Sequence, residues 1–174
     1  MKALARMTYF EAFEQGIELI FGFPNKNSYP GFVKLGWTFR ENMQNFTIKG
    51  GLPLCELAGK YPIFETLYRD LIPKERIYKG KFYFHLKVEN HLMIGDVAKF
   101  RIWQTLDFIQ EVQQAARKYL AGKALISVSE NHWLYPCLKE HLTPTEGLPI
   151  GFYPLKDNVP TDYSFTLGDT DTFI

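Results

Sequence analysis

Cysteine is scarce in this chain: 174 residues hold only Cys55 and Cys137. They are far apart and outside any C-x-x-C pattern, which excludes a disulfide framework and a zinc knuckle and makes a reducing cytoplasm the expected compartment. Neither sign of charge is in excess, since 20 Lys and Arg face 19 Asp and Glu for a net charge of +1. A chain so balanced has no field to gather nucleic acid or an anionic membrane. No apolar run approaches the roughly twenty residues of a membrane helix, and the N-terminus has no basic segment, apolar stretch and cleavage site in secretory order. Histidine is also sparse. His85, His91, His132 and His141 show no ligand spacing, so no metal is expected.

What the chain does have is apolar and aromatic residues, 46% and 16% of the total, enough to bury a core. Leu4, Met7, Phe10 and Phe13 recur at helical spacing over Ala3–Gln15, with Gly16 as the cap. Ile17–Phe23 is next, a short apolar run with the pattern of a central strand buried on both faces. Ser28 or Asn27 is placed to cap a second helix, with Pro30 in its first turn and Leu35-Gly36 at its end. Trp37–Lys49 reads as one or two strands before Gly50-Gly51.

Leu52 to Arg76 is punctuated by Pro53, Pro62 and Pro73, with one helix from Tyr61 to Leu71. Lys81–Val88 alternates as a half-buried strand, and Gly95-Asp96 reads as the turn to its partner, Val97–Trp103. A helix over Leu106–Ala121 turns Phe108, Ile109, Val112, Ala116, Tyr119 and Leu120 inward and ends at Gly122. A strand at Ala124–Val128, a helix at Trp133–His141 and a strand in "LPIGFYPL" complete the pattern. The expected class is α/β (α+β), a mixed sheet flanked by helices. Its parts are residues 1–51, a connecting segment 52–80 and a second α/β half, 81–174.

Shifting the sequence by 106 residues lays Gly16 on Gly122, Leu19 on Leu125, Ile20 on Ile126, Asn25 on Asn131 and Tyr29-Pro30 on Tyr135-Pro136. Each unit runs helix, Gly, strand, Asn, short helix. A duplication would give the Asn a recurring role, bonding backbone groups that the ladder leaves unpaired where the strand parts from its neighbour. The alternative is recurrent α/β grammar.

"FGFPNKNSYPGFVKLGW", Phe21–Trp37, resembles the segment written loosely N-x-x-A-x-x-x-Y-x-x-x-G-F in the GNAT superfamily of acyl-CoA N-acyltransferases. "FTLGDTDTF", Phe165–Phe173, is similar to the C-terminal end of a bacterial subgroup of that superfamily. The resemblance implies a GNAT-like fold, partial or built of duplicated half-domains. Residues 1–51 would be the C-terminal half of one such domain, and 81–174 a degenerate copy. It implies acetyl-CoA as cofactor, a small-molecule or other amine as acceptor, and Phe23, Asn25 and Ser28 along the pantetheine arm. Gly36-Trp37 takes the Gly-aromatic position.

Two departures accompany the match. Phe32 stands where the family's acidic Tyr belongs and has no proton to give. Tyr29, three residues earlier, shares its helix face and is the catalytic candidate. The family's pyrophosphate loop, Q/R-x-x-G-x-G/A, precedes a helix that here opens near Met1. "GDVAKFRIWQT" ahead of the second unit's helix has no Gly-x-Gly either. The rival expectation is a non-catalytic binding or assembly module, and an opened sheet edge would pair in a homodimer.

Further candidates are weaker. Asp169 and Asp171 form a D-x-D that reads as a solvated turn near the terminus. Glu89 is a solvated strand-end carboxylate rather than a base, and both cysteines read as small core residues.

Overall fold

The structure, a computed structural model, describes residues 2–51, 60, 61, 76–89 and 91–170. Among them run α1 (Lys2–Glu14), β1 (Leu19–Gly22), α2 (Tyr29–Lys34), β2 (Thr38–Lys49), β3 (Ile77–Lys79), β4 (Tyr83–Val88) and β5 (Leu92–Val97). Beyond these lie α3 (Thr105–Lys118), β6 (Lys123–Val128), α4 (Leu134–Lys139) and β7 (Thr145–Pro154), with 3-10 turns at Ile102–Gln104 and Leu167–Asp169. The chain is therefore α+β, with, among the described residues, four helices on one mixed seven-stranded sheet of order β1-β7-β2-β6-β5-β4-β3. The helix expected over Tyr61–Leu71 lies, apart from Tyr61, outside the described residues, as does Cys55. No described helix is long and apolar enough to cross a membrane.

The 106-residue offset reappears in the elements. Helix, strand, helix and strand of the first unit (α1, β1, α2, β2) recur as α3, β6, α4 and β7, with every boundary within three residues of that offset. The two units also exchange their last strands: β2 pairs with β6 and β7 pairs with β1, all antiparallel. At the seam Phe39 faces Gly151 and Asn45 faces Thr145, the same pair with the two units exchanged. Strand β2 is a single strand, and its ladder with β7 shifts register twice.

The main core lies where α3 and α4 cover β6, β5 and β4. Phe46, Leu92, Ile94, Phe108, Val112, Ile126 and Leu134 are fully buried there. Strand β5 reads Leu92, Met93, Ile94 without polar alternation because it is buried on both faces, as expected of a strand paired in parallel with β6.

Four local expectations give way. Strand β1 is not central: among the described residues it is the sheet edge, paired on one side only, and its four residues are half-buried or exposed. Its apolar character serves aromatic contacts instead, Phe21 lying 5.0 Å from Phe165. Gly95-Asp96 is not a turn. The ladder pairs Phe84 with Val97 but Leu86 with Ile94, so these residues carry a β-bulge inside β5, the extra residue on one strand that re-aims a ladder. The turn is closed earlier, by the Glu89 N–H donating to the His91 carbonyl. Val97 ends β5, and the chain beyond it enters the 3-10 turn rather than a strand.

Thirdly, the segment expected only to connect contributes β3. Finally, α3, which runs to Lys118, is closed at Leu120, whose φ of +53° is left-handed. There the Ala121 N–H reaches the Ala116 carbonyl at 2.8 Å, so the Schellman cap falls two residues before Gly122. Gly16 at φ +80° and Gly36 at φ +90° do close α1 and α2 as expected. Helix α1 meets the sheet through Tyr9, which accepts from Trp37 Nε1 at 2.8 Å and stacks on Tyr153 at 4.4 Å. Leu4, Met7 and Phe10 face outward.

Candidate functional site

Asn25 does not bridge a parted strand. Its Oδ1 accepts from the N–H groups of Asn27 (2.9 Å) and Ser28 (3.1 Å), and its carbonyl accepts from Tyr29. Its side chain thus closes the turn that leads into α2, while Ser28 holds the N-cap position, as one of the two expected residues, without a side-chain cap bond. Asn131, its counterpart, does something else. Its Nδ2 donates to the carbonyls of Asp162 (2.9 Å) and Tyr163 (2.8 Å), tying down the chain after β7. The repeated position carries two different roles.

Phe23, Asn25 and Ser28 line one cleft of about 700 Å³, with Phe21, Phe32, Trp37 and Asp169 on its walls. Tyr29 lines a different one, about 570 Å³, beside Arg40, Glu41, Glu130 and Glu146, its ring 4.5 Å from Phe39. Burial, with the neighbouring Glu130 charge, raises the Glu41 pKa. Asn42 donates to Glu146 there.

The parting of neighbouring parallel strands occurs instead at the counterpart of β1. Strands β5 and β6 pair in parallel at Leu92–Ala124, Met93–Leu125 and Ile94–Ile126. The bulge then turns β5 aside, and β6 runs on to Val128, which bridges antiparallel to Thr166. This is a fork. From its β5 arm the chain leads through Lys99 and Arg101 into α3. Those two cations and Lys81 line a cleft of about 490 Å³ with Tyr83, Phe100 and Gln104. Lys81 pairs with Asp107 at 2.5 Å, Arg101 lies over Trp103 at 5.1 Å, and Phe100 meets Trp133 edge-on at 5.1 Å. Cations ahead of a fourteen-residue helix add to its own positive end.

The chain's own tail sits in the fork. Ser129 N–H donates to the Phe165 carbonyl (2.9 Å), and Phe165 N–H donates to Ser129 Oγ (2.7 Å). Phe165 and Leu167 are buried, Leu167 against Met93 and Leu125. A Cβ on Gly168 would lie 3.3 Å from the Asp96 nitrogen. Asp169 is exposed but is more than a solvated turn residue: its Oδ2 accepts from Thr166 N–H at 2.8 Å, capping the 3-10 turn. Asp171 lies outside the described residues.

At the mouth of the fork His85, Asp96, His132, Ser164, Thr166 and Asp169 line a cleft of about 360 Å³. Asp169 is thus a wall of both this cleft and the one at Asn25. His132 is buried, and its Nδ1 accepts the Leu134 N–H at 3.3 Å, which leaves the neutral ring's proton on Nε2. Burial lowers its pKa from 6.5, against the pull of Asp96 and Asp169 upward and with Lys99 pushing downward. The unfolded chain therefore binds the proton more readily than the folded one, and stability should be full above pH 6.5 and fall as pH drops below it toward the folded value. We expect the urea midpoint to decline as pH is lowered from about 7.5 to about 5.5, and the decline to be shallower in His132→Gln. Equal slopes for the two proteins would remove His132 from that account.

Glu89 stands at the β4–β5 turn, ion-paired with Lys87 at 3.0 Å. Cys137 is a buried core residue. Among the described residues no group of three His, Cys, Asp or Glu side chains is placed to hold a metal ion. The fork escaped sequence reading because Gly95-Asp96 looks like a turn. The available signal was the unbroken apolar run Leu92–Ile94 ahead of it, too buried to be a loop. No protein-family model and no curated protein matches the sequence.

Proposed function

We propose that this chain is an acyl-CoA-dependent N-acyltransferase, or the C-terminal portion of one, which transfers an acetyl group to an amine. The observation that carries the reading is the fork: adjacent parallel strands part at a bulge, and the arm that turns aside leads through Lys99 and Arg101 to the positive end of a helix. The likeness of Phe21–Trp37 to the acyltransferase segment supports it from the sequence.

The residues present suit such a cofactor. Lys99 and Arg101, beside the Lys81–Asp107 pair, offer two cations to a pyrophosphate or phosphate where the family uses a glycine-rich loop. The aromatic faces of Tyr83 and Phe100 flank them. Bound there, acetyl-CoA supplies an activated acyl thioester to an attacking amine. In this reading Asp96, the carboxylate on the bulge, takes the proton of an incoming ammonium. Phe23 and Ser28 line the adjoining cleft across Asp169, an aromatic-walled space for the acceptor.

The test is calorimetric titration with acetyl-CoA and, separately, with free CoA. Saturable binding that weakens about tenfold when Lys99 and Arg101 are both changed to Ala, roughly 1.4 kcal/mol, supports the assignment. No heat at millimolar ligand, the level of about −4 kcal/mol, sinks it. A second reading, a non-catalytic module that keeps a degenerate acyltransferase fold, is favoured by one observation: the fork is filled by Phe165–Asp169. Binding of CoA without turnover of any amine tried would move the balance there.

A further inference from the structure

We propose that the tail segment Ser164–Thr170 is a removable wedge that keeps the fork shut, and that its release admits the ligand. This rests on the acyl-CoA reading and adds regulation to that site. The wedge is held in the sheet by very little ladder. One isolated bridge, Val128 to Thr166, joins it to β6. Its link to β5 is packing by the 3-10 turn, with Leu167 on Met93 and Gly168 close to Gly95 and Asp96.

Phe165 adds burial in a core cluster with Met43, Ile150 and Phe152, and the remaining hold is polar and local. Ser129 supplies one donor and one acceptor to Phe165, and the Asn131 amide holds the carbonyls of Asp162 and Tyr163. Asp169 and Thr170 bond within the turn itself, to Thr166 and to the Leu167 carbonyl. The turn thus carries internal bonds of its own. The chain leading to it leaves β7 with the Leu155 and Lys156 N–H groups bonded back to the Glu18 carbonyl and Lys156 Nζ paired with the Glu18 carboxylate at 2.8 Å, and the stretch beyond Lys156 has length to move. Phe165 also stands 5.0 Å from Phe21 and 5.4 Å from Phe23, and withdrawal would join the fork to the aromatic cleft beside β1.

A site that is open only part of the time binds with an apparent constant weakened by the open fraction. Asn131→Ala removes two holds on the tail from an exposed side chain, without touching Lys99, Arg101 or Asp96. We expect it to tighten acetyl-CoA binding about three- to tenfold. Ser129→Ala is a second variant, acting on the wedge itself. In the unaltered chain, hydrogen exchange at residues 163–170 should speed up when acetyl-CoA is saturating while β2 and β6 stay protected. Binding that leaves both variants at the original affinity, or exchange in the tail unchanged or slowed by ligand, overturns the wedge but not the acyl-CoA reading. Absence of binding to the original chain and to both variants overturns the reading and the wedge together.

Discussion

Gly50→Ala is expected to destabilise the fold by about 3 kcal/mol, within the range for forced overpacking. Its midpoint should fall by about 6–12 °C in a chain of this size. A Cβ at Gly50 would stand 2.1 Å from the Ala121 carbonyl oxygen and 2.9 Å from the Ala116 Cβ. Neither neighbour is free to yield. The Ala121 carbonyl accepts the Gly51 N–H at 3.0 Å, Gly50 N–H donates to the Gly122 carbonyl at 2.8 Å, and Ala116 is fully buried on α3. The end of β2 is therefore docked backbone to backbone on the corner between α3 and β6. Gly31, which has no heavy atom within 4 Å of its would-be Cβ, serves as the control: Gly31→Ala inside α2 should be stabilising by about 0.5–1 kcal/mol. A loss below about 1 kcal/mol for Gly50→Ala, the low end for overpacking, read from urea denaturation, would mean that this corner is looser than its hydrogen bonds imply.

That corner also marks the limit of what the sequence discloses. Helices α1 and α2 are legible to their ends because their stops are local: Gly16 and Gly36 are left-handed, as a residue after a helix end often must be; α3 is legible from its apolar spacing but not at its end. Strand β6 and the half-buried alternation of β4 are legible for the same reason, a short-range pattern. The order of strands is not. An apolar run such as Leu19–Phe21 looks the same whether a strand is central or sits at an edge under aromatic side chains. The Gly95-Asp96 bulge has the composition of a turn, and only its partner β4 distinguishes the two.

The site suffers most from this. Asn25, Ser28 and Phe23 share a cleft, as their nearness in sequence suggests. The fork brings together Asp96 and Lys99, Ser129 and His132, and Thr166 from separate stretches of chain, and no local pattern records such a meeting. The repeat was legible as an offset, but not that the two units trade their last strands.

Phe46→Ala tests that trade, with an expected loss of about 3–5 kcal/mol. Phe46 lies on β2, in the first unit, yet it is fully buried in the core built by the second: it faces Ile126 across the β2–β6 ladder, and its ring is 5.9 Å from that of Tyr135. A strand inserted this way has β7 on one side and β6 on the other, so its loss would expose the ladder groups of both. Residues of the two units should then open together. Native-state hydrogen exchange distinguishes this from a strand merely added to a finished domain. In the first case Phe46→Ala lowers the protection of Lys123–Val128 by the same free energy as that of Thr38–Lys49. In the second, β2 loses protection while β6 keeps it, because α3, α4, β5 and β4 would hold β6 without help. The burial of Ile126, Val128, Leu134 and Leu138 at zero exposure, beneath a cluster that includes Phe46 and Ile48, favours common opening. The fork, whose β6 arm is the neighbour of β2, then depends for its shape on a strand supplied from the other end of the chain.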